Sequence, residues 1–368
     1  MKKIVSQLFV IATILMLAQA CTSEPAQEVQ HPRNIILIIG DGMGIHHIQA
    51  GMTANKGFLN IERMPVTGLI KTYSYNDYIT DSGAGGTALA TGQKTYNGAI
   101  GVGPDSLPLK TILEYASEGG KATGVVSTSS VTHATPASFV SHQKSRGYYQ
   151  NIAIDFVNSN IDLFIGGGYN DFARRPDSVD LTLKLTEKGF QVVTDTVAMA
   201  SVTGGKMAGL LAPGHMPKIS EGRGSMLAAS TRKALELLSQ DPDGFFLMIE
   251  GSQIDWGGHA NETGYVVDEV VDLDRAIGVA LDWAEAYGNT LVIVTADHET
   301  GAFTVLNGDY ATGEVTGAFG STDHTGVMVP IFATGPYAEV FSGIQENTDV
   351  FFKMFNAFNL NPQNNDGK

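Results

Sequence analysis

Six short apolar runs rich in β-branched residues, 34–40, 123–128, 161–165, 245–249, 290–295 and 330–334, recur along the 368-residue chain, with helical stretches between them. Runs without polar alternation belong to strands buried on both faces, and strands joined through helices pair in parallel. The expected fold class is therefore α/β, a large, mainly parallel central sheet flanked by helices on both faces, with small insertions. One covering helix is legible over 268–287. There Val271, Leu273, Ile277, Ala280, Leu281 and Ala284 recur mostly at three- and four-residue steps, while Asp272, Asp274, Arg275 and Glu285 lie largely off the stripe. Two stretches lack this rhythm, 166–224 and the Gly- and Thr-rich 301–326, and both read as excursions from a single domain covering 34–368.

The first twenty residues stand apart. Lys2 and Lys3, the apolar stretch 8–17 and the small residues Ala18 and Ala20 form a signal peptide over 1–20, so the protein is expected to be exported to a periplasm. Cys21, the only cysteine, falls where a bacterial lipoprotein is lipidated and points to a membrane anchor, with 21–33 as a polar tether; Ala18-Gln19-Ala20 also reads as an ordinary signal-peptidase site. A second long apolar run is missing, which excludes a multi-pass membrane protein. A lone cysteine supports neither an internal disulfide nor a cysteine-based zinc site, so any metal would be held by nitrogen and oxygen, and the nine histidines gain weight. A net charge of −15 without a Lys/Arg-rich run leaves no nucleic-acid-binding surface.

Four of the apolar runs end in possible metal ligands, at the strand ends where open α/β sheets bind ligands. They lead into Asp41-Gly-Met-Gly, into Ser-Val-Thr-His133-Ala-Thr135-Pro136, into Glu250-Gly-Ser-Gln-Ile-Asp255-Trp-Gly-Gly-His259, and into Ala-Asp297-His298. A single aspartate at a strand end is usually a turn or a helix cap. Several such ends, two of them pairing Asp with His, point to metal. Asp255 and His259 are four apart and would share one face of a helical turn. His324, in Thr-Asp-His-Thr-Gly, is weak alone and counts as a further nitrogen donor. Asp81-Ser82 precedes a small-residue helix, so Ser82 reads either as a cap or as a nucleophile at a helix start, where unpaired N–H groups favour an anion.

Together with Ser145-Arg146, these blocks resemble, in order and spacing, the alkaline phosphatases, across roughly 34–336. The resemblance implies hydrolysis of small-molecule phosphate monoesters through a phosphoserine on Ser82. It implies two Zn2+, one on Asp255, His259 and His324, the other on Asp41, Asp297 and His298 with Ser82 as exchangeable ligand. It also implies one Mg2+ on Asp41, Thr135 and Glu250, a phosphate clamp in Arg146 oriented by Asp81, and a homodimer. Where the best-known bacterial pattern has Asp and Lys near the magnesium and phosphate, this chain has His133 and Trp256, the candidates for a variable third site. The residues alone leave two other readings open. A phosphodiesterase of the same superfamily usually has a Thr nucleophile and no magnesium ligands, and a non-catalytic phosphate- or metal-binding lipoprotein would turn over nothing.

Overall fold

The computed structural model describes residues 30–360; the expected signal peptide over 1–20 and the expected anchor Cys21 lie outside the described residues. The strands are β1 (Asn34–Gly40), β2 (Val66–Lys71), β3 (Ala122–Ser130), β4 (Leu163–Gly167), β5 (Phe190–Val193), β6 (Lys206–Ala212), β7 (Phe245–Gly251), β8 (Thr290–Thr295), β9 (Glu299–Thr300), β10 (Thr304–Asp309), β11 (Glu314–Ala318), β12 (His324–Thr325), β13 (Val329–Thr334) and β14 (Gly343–Glu346). Ten of them form one sheet in the order β14-β2-β13-β8-β1-β7-β3-β4-β6-β5. β1, β3, β7 and β8 are buried at every residue, as unbroken apolar runs require. All pairings within this sheet are parallel except those of β13, which runs against β8 and β2. The run 330–334 thus joins the sheet in the opposite sense to the others.

Two sets of helices cover this sheet. Met226–Leu238 and Thr263–Tyr287 pack on each other and over β3, β7 and β8. Ile112–Glu118 and Ala134–Ala137 also lie over β3 and β7, and Ser82–Thr91 packs between Ala134–Ala137 and Asn347–Ala357. The long helix begins at Thr263, earlier than its apolar stripe suggests, and Val266, Val270, Leu273, Ile277, Ala280 and Leu281 carry the buried face. Two of its acids depart from the expected solvent face. Asp272 is buried against Arg223, and Asp274 accepts the backbone N–H groups of Asn60 and Ile61. The segment 166–224 also differs from an excursion, because its residues 190–193 and 206–212 are β5 and β6 at the edge of the main sheet. The segment 301–326 stays outside that sheet: β10 pairs with β11, and β12 reaches back to β9.

Candidate active site

β8, β1, β7 and β3 are consecutive and parallel in the sheet, so the loops leaving their carboxyl ends converge. Asp41 follows β1, and the chain turns at once through Gly42 at φ 72°. A Cβ there would meet Asp255 Cα at 2.8 Å and Thr300 Oγ1 at 2.7 Å, so only glycine lets β1 deliver its aspartate this close to its neighbours. Glu250 lies within β7, and Asp255 and His259 sit one turn apart on Gln253–Ala260. Asp297 and His298 follow β8. His133 and Thr135 follow β3, with Thr135 on Ala134–Ala137. His324 arrives last, opposite Thr300 in the β9–β12 ribbon.

These side chains form three groups, each with its donor atoms within 4.8 Å of one another: Asp255, His259 and His324; Asp41, Asp297 and His298; Asp41, His133 and Glu250. In the first, Asp255 Oδ1 is 3.3 Å from His259 Nε2 and 3.4 Å from His324 Nε2. In the second, His298 Nε2 is 3.3 Å from Asp41, 3.4 Å from Asp297 and 3.2 Å from the Ser82 hydroxyl. In the third, the Thr135 hydroxyl is 3.4 Å from Asp41 Oδ2, and Ser127 donates to Glu250 at 2.6 Å. The far nitrogens of the three histidines are engaged elsewhere. His259 Nδ1 meets the Thr322 carbonyl, His324 Nδ1 the Thr80 carbonyl at 2.9 Å, and His298 Nδ1 the Thr300 hydroxyl at 3.2 Å. Each Nε2 is therefore free to present a lone pair inward, the arrangement that metal-binding histidines need.

The electrostatics call for cations at the same points. Burial, then Asp297 and Asp255, drives the Asp41 carboxyl well above its ordinary range. Burial and the Asp255 charge push Asp297 up to about 7. Glu250 is also raised by burial, against the pull of Ser127. Asp255 is the exception: burial works against it, but the hydrogen bond and charge from His324 hold it below the usual carboxylate range. Burial and then His324 keep the His298 imidazole neutral. Glu250 Oε1 and Asp297 Oδ2 are buried without a hydrogen-bond partner. Crowded, unpaired carboxylates beside the neutral His298 imidazole fit bound divalent cations, which offset the repulsion and satisfy the lone pairs.

Ser82 opens the helix Ser82–Thr91, with Asp81 as its N-cap accepting Ala84 N–H at 2.9 Å and Gly98 N–H at 3.0 Å. The other oxygen of Asp81 takes Arg146 Nη1 at 2.9 Å, and Arg146 Nη2 donates to His133 Nε2 at 3.2 Å. Burial and then the Arg146 charge lower His133 to about 3, so it is neutral and able to accept. Trp256 stands edge-on to His133 at 6.0 Å between ring centroids and to His215 at 4.8 Å. The candidate metal ligands, together with Asp81, Ser82, His133 and Arg146, lie in this one crevice. Thr300, which donates to Asp255, and His215, which accepts Ser130 N–H at 3.0 Å, were not singled out. Thr300 lies two positions after His298, which is a usable signal; His215 sits in the irregular 166–224 stretch, where none exists.

The family model described as alkaline phosphatase matches residues 32–320 and 309–360. The chain belongs to the alkaline phosphatase family. It is 34% identical to alkaline phosphatase 4 of Bacillus subtilis over 90% of each chain. It is 35% identical to the alkaline phosphatase of Escherichia coli, covering 89% of this chain and 86% of that one. The solved alkaline phosphatase of the Antarctic bacterium TAB5 superposes with a TM-score of 0.85 at 44% identity, over 90% of this chain and 99% of that one. A histidine-to-aspartate mutant of the TAB5 enzyme was solved with Mg bound in its M3 site. As an alkaline phosphatase, this chain is an enzyme that hydrolyses phosphate monoesters, and its crevice carries the groups to bind metal ions.

Proposed function

We propose that hydrolysis proceeds through a phosphoserine on Ser82 at a site of two zinc ions and one magnesium ion. Asp255, His259 and His324 would hold one zinc, and Asp41, Asp297 and His298 the other, with Ser82 beside it. Asp41, Thr135 and Glu250 would hold the magnesium, an oxygen-only set as that ion prefers. Bound there, the ions neutralise the phosphate dianion and lower the pKa of hydroxyl groups next to them. The observation that carries the reading is the place of the Ser82 hydroxyl, at a helix start, 3.2 Å from His298 Nε2 and 3.5 Å from Asp41.

The protein's part is positioning and charge. Arg146 has given one N–H from each terminal nitrogen to Asp81 and His133, which leaves one on each for two phosphoryl oxygens. Held in this way, the phosphorus faces Ser82 Oγ. The Oγ–P bond forms as the bond to the alcohol oxygen breaks, and the alcohol leaves with the proton that Ser82 gives up. Water then breaks the Oγ–P bond, frees phosphate and returns a proton to Ser82. The helix N-terminus stabilises the anion throughout.

Turnover of p-nitrophenyl phosphate against bis-p-nitrophenyl phosphate tests the reading. The monoester should dominate, EDTA should abolish activity, and Ser82→Ala should lose on the order of 10³- to 10⁶-fold in kcat. Acid trapping with labelled phosphate should label the wild type and not Ser82→Ala. Label retained in the alanine variant, or preference for the diester, would overturn it.

A further inference from the structure

Arg146 is placed by a loop, and that loop is closed by a carboxylate with no part in the chemistry above. We infer that Asp155 is a positioning residue for the phosphate clamp, an inference that rests on Arg146 binding the phosphoryl group as proposed. The segment 141–148 belongs to no helix or strand, so regular backbone geometry does not fix Arg146. On one side the loop leans on 98–101. Gln143 and Ile100 exchange backbone hydrogen bonds of 2.8 and 2.9 Å, and Arg146 N–H donates to the Gly98 carbonyl at 2.7 Å. Gly101, at φ 56°, permits this closeness, since a Cβ there would meet the Ser141 carbonyl at 2.1 Å.

On the other side stands one carboxylate oxygen. Asp155 Oδ2 accepts the Ser141 hydroxyl, the His142 backbone N–H at 3.2 Å and the Gln143 side-chain amide at 2.7 Å. Asp155 belongs to Tyr149–Asn158, the helix that follows Arg146 directly. A residue beyond Arg146 therefore reaches back to three consecutive residues before it, and the chain between them becomes a closed loop with Arg146 inside. Closure removes conformations that would let the guanidinium drift from Asp81 and His133. The charge on Asp155 matters, because an ionised acceptor makes the stronger bonds and can take several donors at once. A misplacement of about 1 Å at such a clamp costs on the order of a hundredfold in rate.

The test is a double-mutant cycle on the purified metal-loaded enzyme, with Asp155→Ala, Arg146→Ala and the pair, read as kcat/KM for p-nitrophenyl phosphate and as the inhibition constant of inorganic phosphate. Asp155→Ala should lower kcat/KM about tenfold or more and weaken phosphate inhibition in the wild-type background, with less than about twofold effect once Arg146 is alanine, since coupled residues are not additive. Asp155→Asn, which keeps an acceptor oxygen without the charge, should fall between wild type and alanine. Equal losses in both backgrounds, or no loss in the wild type, would overturn the inference. A full-activity Arg146→Ala would instead bring down the clamp reading, and this inference with it. If Asp155→Ala does not fold, Gln143→Ala and Ser141→Ala remove the donors one at a time and enter the same cycle under the same criteria.

Discussion

One hydroxyl joins two of the metal-binding groups. The Thr300 O–H donates to Asp255, so its lone pair is left to accept from His298 Nδ1, and this fixes His298 as the tautomer whose Nε2 lone pair faces Asp41 and Asp297. Thr300→Val is therefore expected to weaken metal binding by roughly 10- to 100-fold, the usual cost of losing an outer partner, as measured by competition with a chromophoric chelator. Unchanged affinity would show that His298 needs no such support. At Trp256, a lysine would bring a cation to the phosphate side of the crevice. Trp256→Lys should tighten phosphate inhibition roughly tenfold, about one hydrogen bond to a charged group, and no tightening would show that this position does not reach the bound phosphate. The metal-type residues could be read from the sequence because strand ends and the four-residue step from Asp255 to His259 place them locally. Ser127 and His215 could not, because their partners, Glu250 and the Ser130 N–H, are set by contacts between distant segments.

Arg223 ties elements together in a comparable way, lying buried against Glu269 and Asp272 of the long helix Thr263–Tyr287. Burial holds both carboxyls above their ordinary range even with the guanidinium beside them. Arg223→Met should cost about 3–5 kcal/mol, the penalty for leaving a buried charge without its partner. The loss has a pH sign. Without Arg223 the two carboxyls rise further above their unfolded values, so the stability kept by protonation at low pH is lost as pH climbs. Urea unfolding at pH 5 and pH 9 should show the larger deficit at pH 9, and equal deficits would refute this account. The acids of this helix misled the sequence reading because a buried ion pair looks, residue by residue, like a solvent face. β1 and β8 were legible to the residue, as continuous β-branched runs. β6 was not, since Lys-Met-Ala-Gly-Leu-Leu-Ala carries helix-forming residues, and only its place between β4 and β5 makes it a strand.

For the whole molecule, the buried acids of the crevice and the metal ions proposed to bind there belong together. With metals removed, Asp297, pushed up to about 7, and the raised Asp41 and Glu250 bind more protons folded than unfolded. Stability from these groups is then fully present below about pH 4 and falls as pH rises towards 7, so chelated protein should melt at a lower temperature at pH 8 than at pH 5. Zinc and magnesium should remove most of that difference. Calorimetry with and without EDTA at both pH values checks it, and a chelated protein insensitive to pH would contradict it.

The strand order carries a consequence for how such a chain comes to be folded. β1 is first in sequence and lies in the interior of the sheet, between β7 and β8, and the Asn34 side chain accepts the Phe245 N–H across 211 residues. During synthesis, an unbroken apolar strand leaves the ribosome long before either neighbour exists, and parallel pairing over such separations is slow. The sheet cannot close around its own centre until most of the polypeptide has been made, so β1 stays unpaired in the newly made chain, and Asp41 meets Glu250, Asp255, Asp297 and His298 only when β7 and β8 have been made.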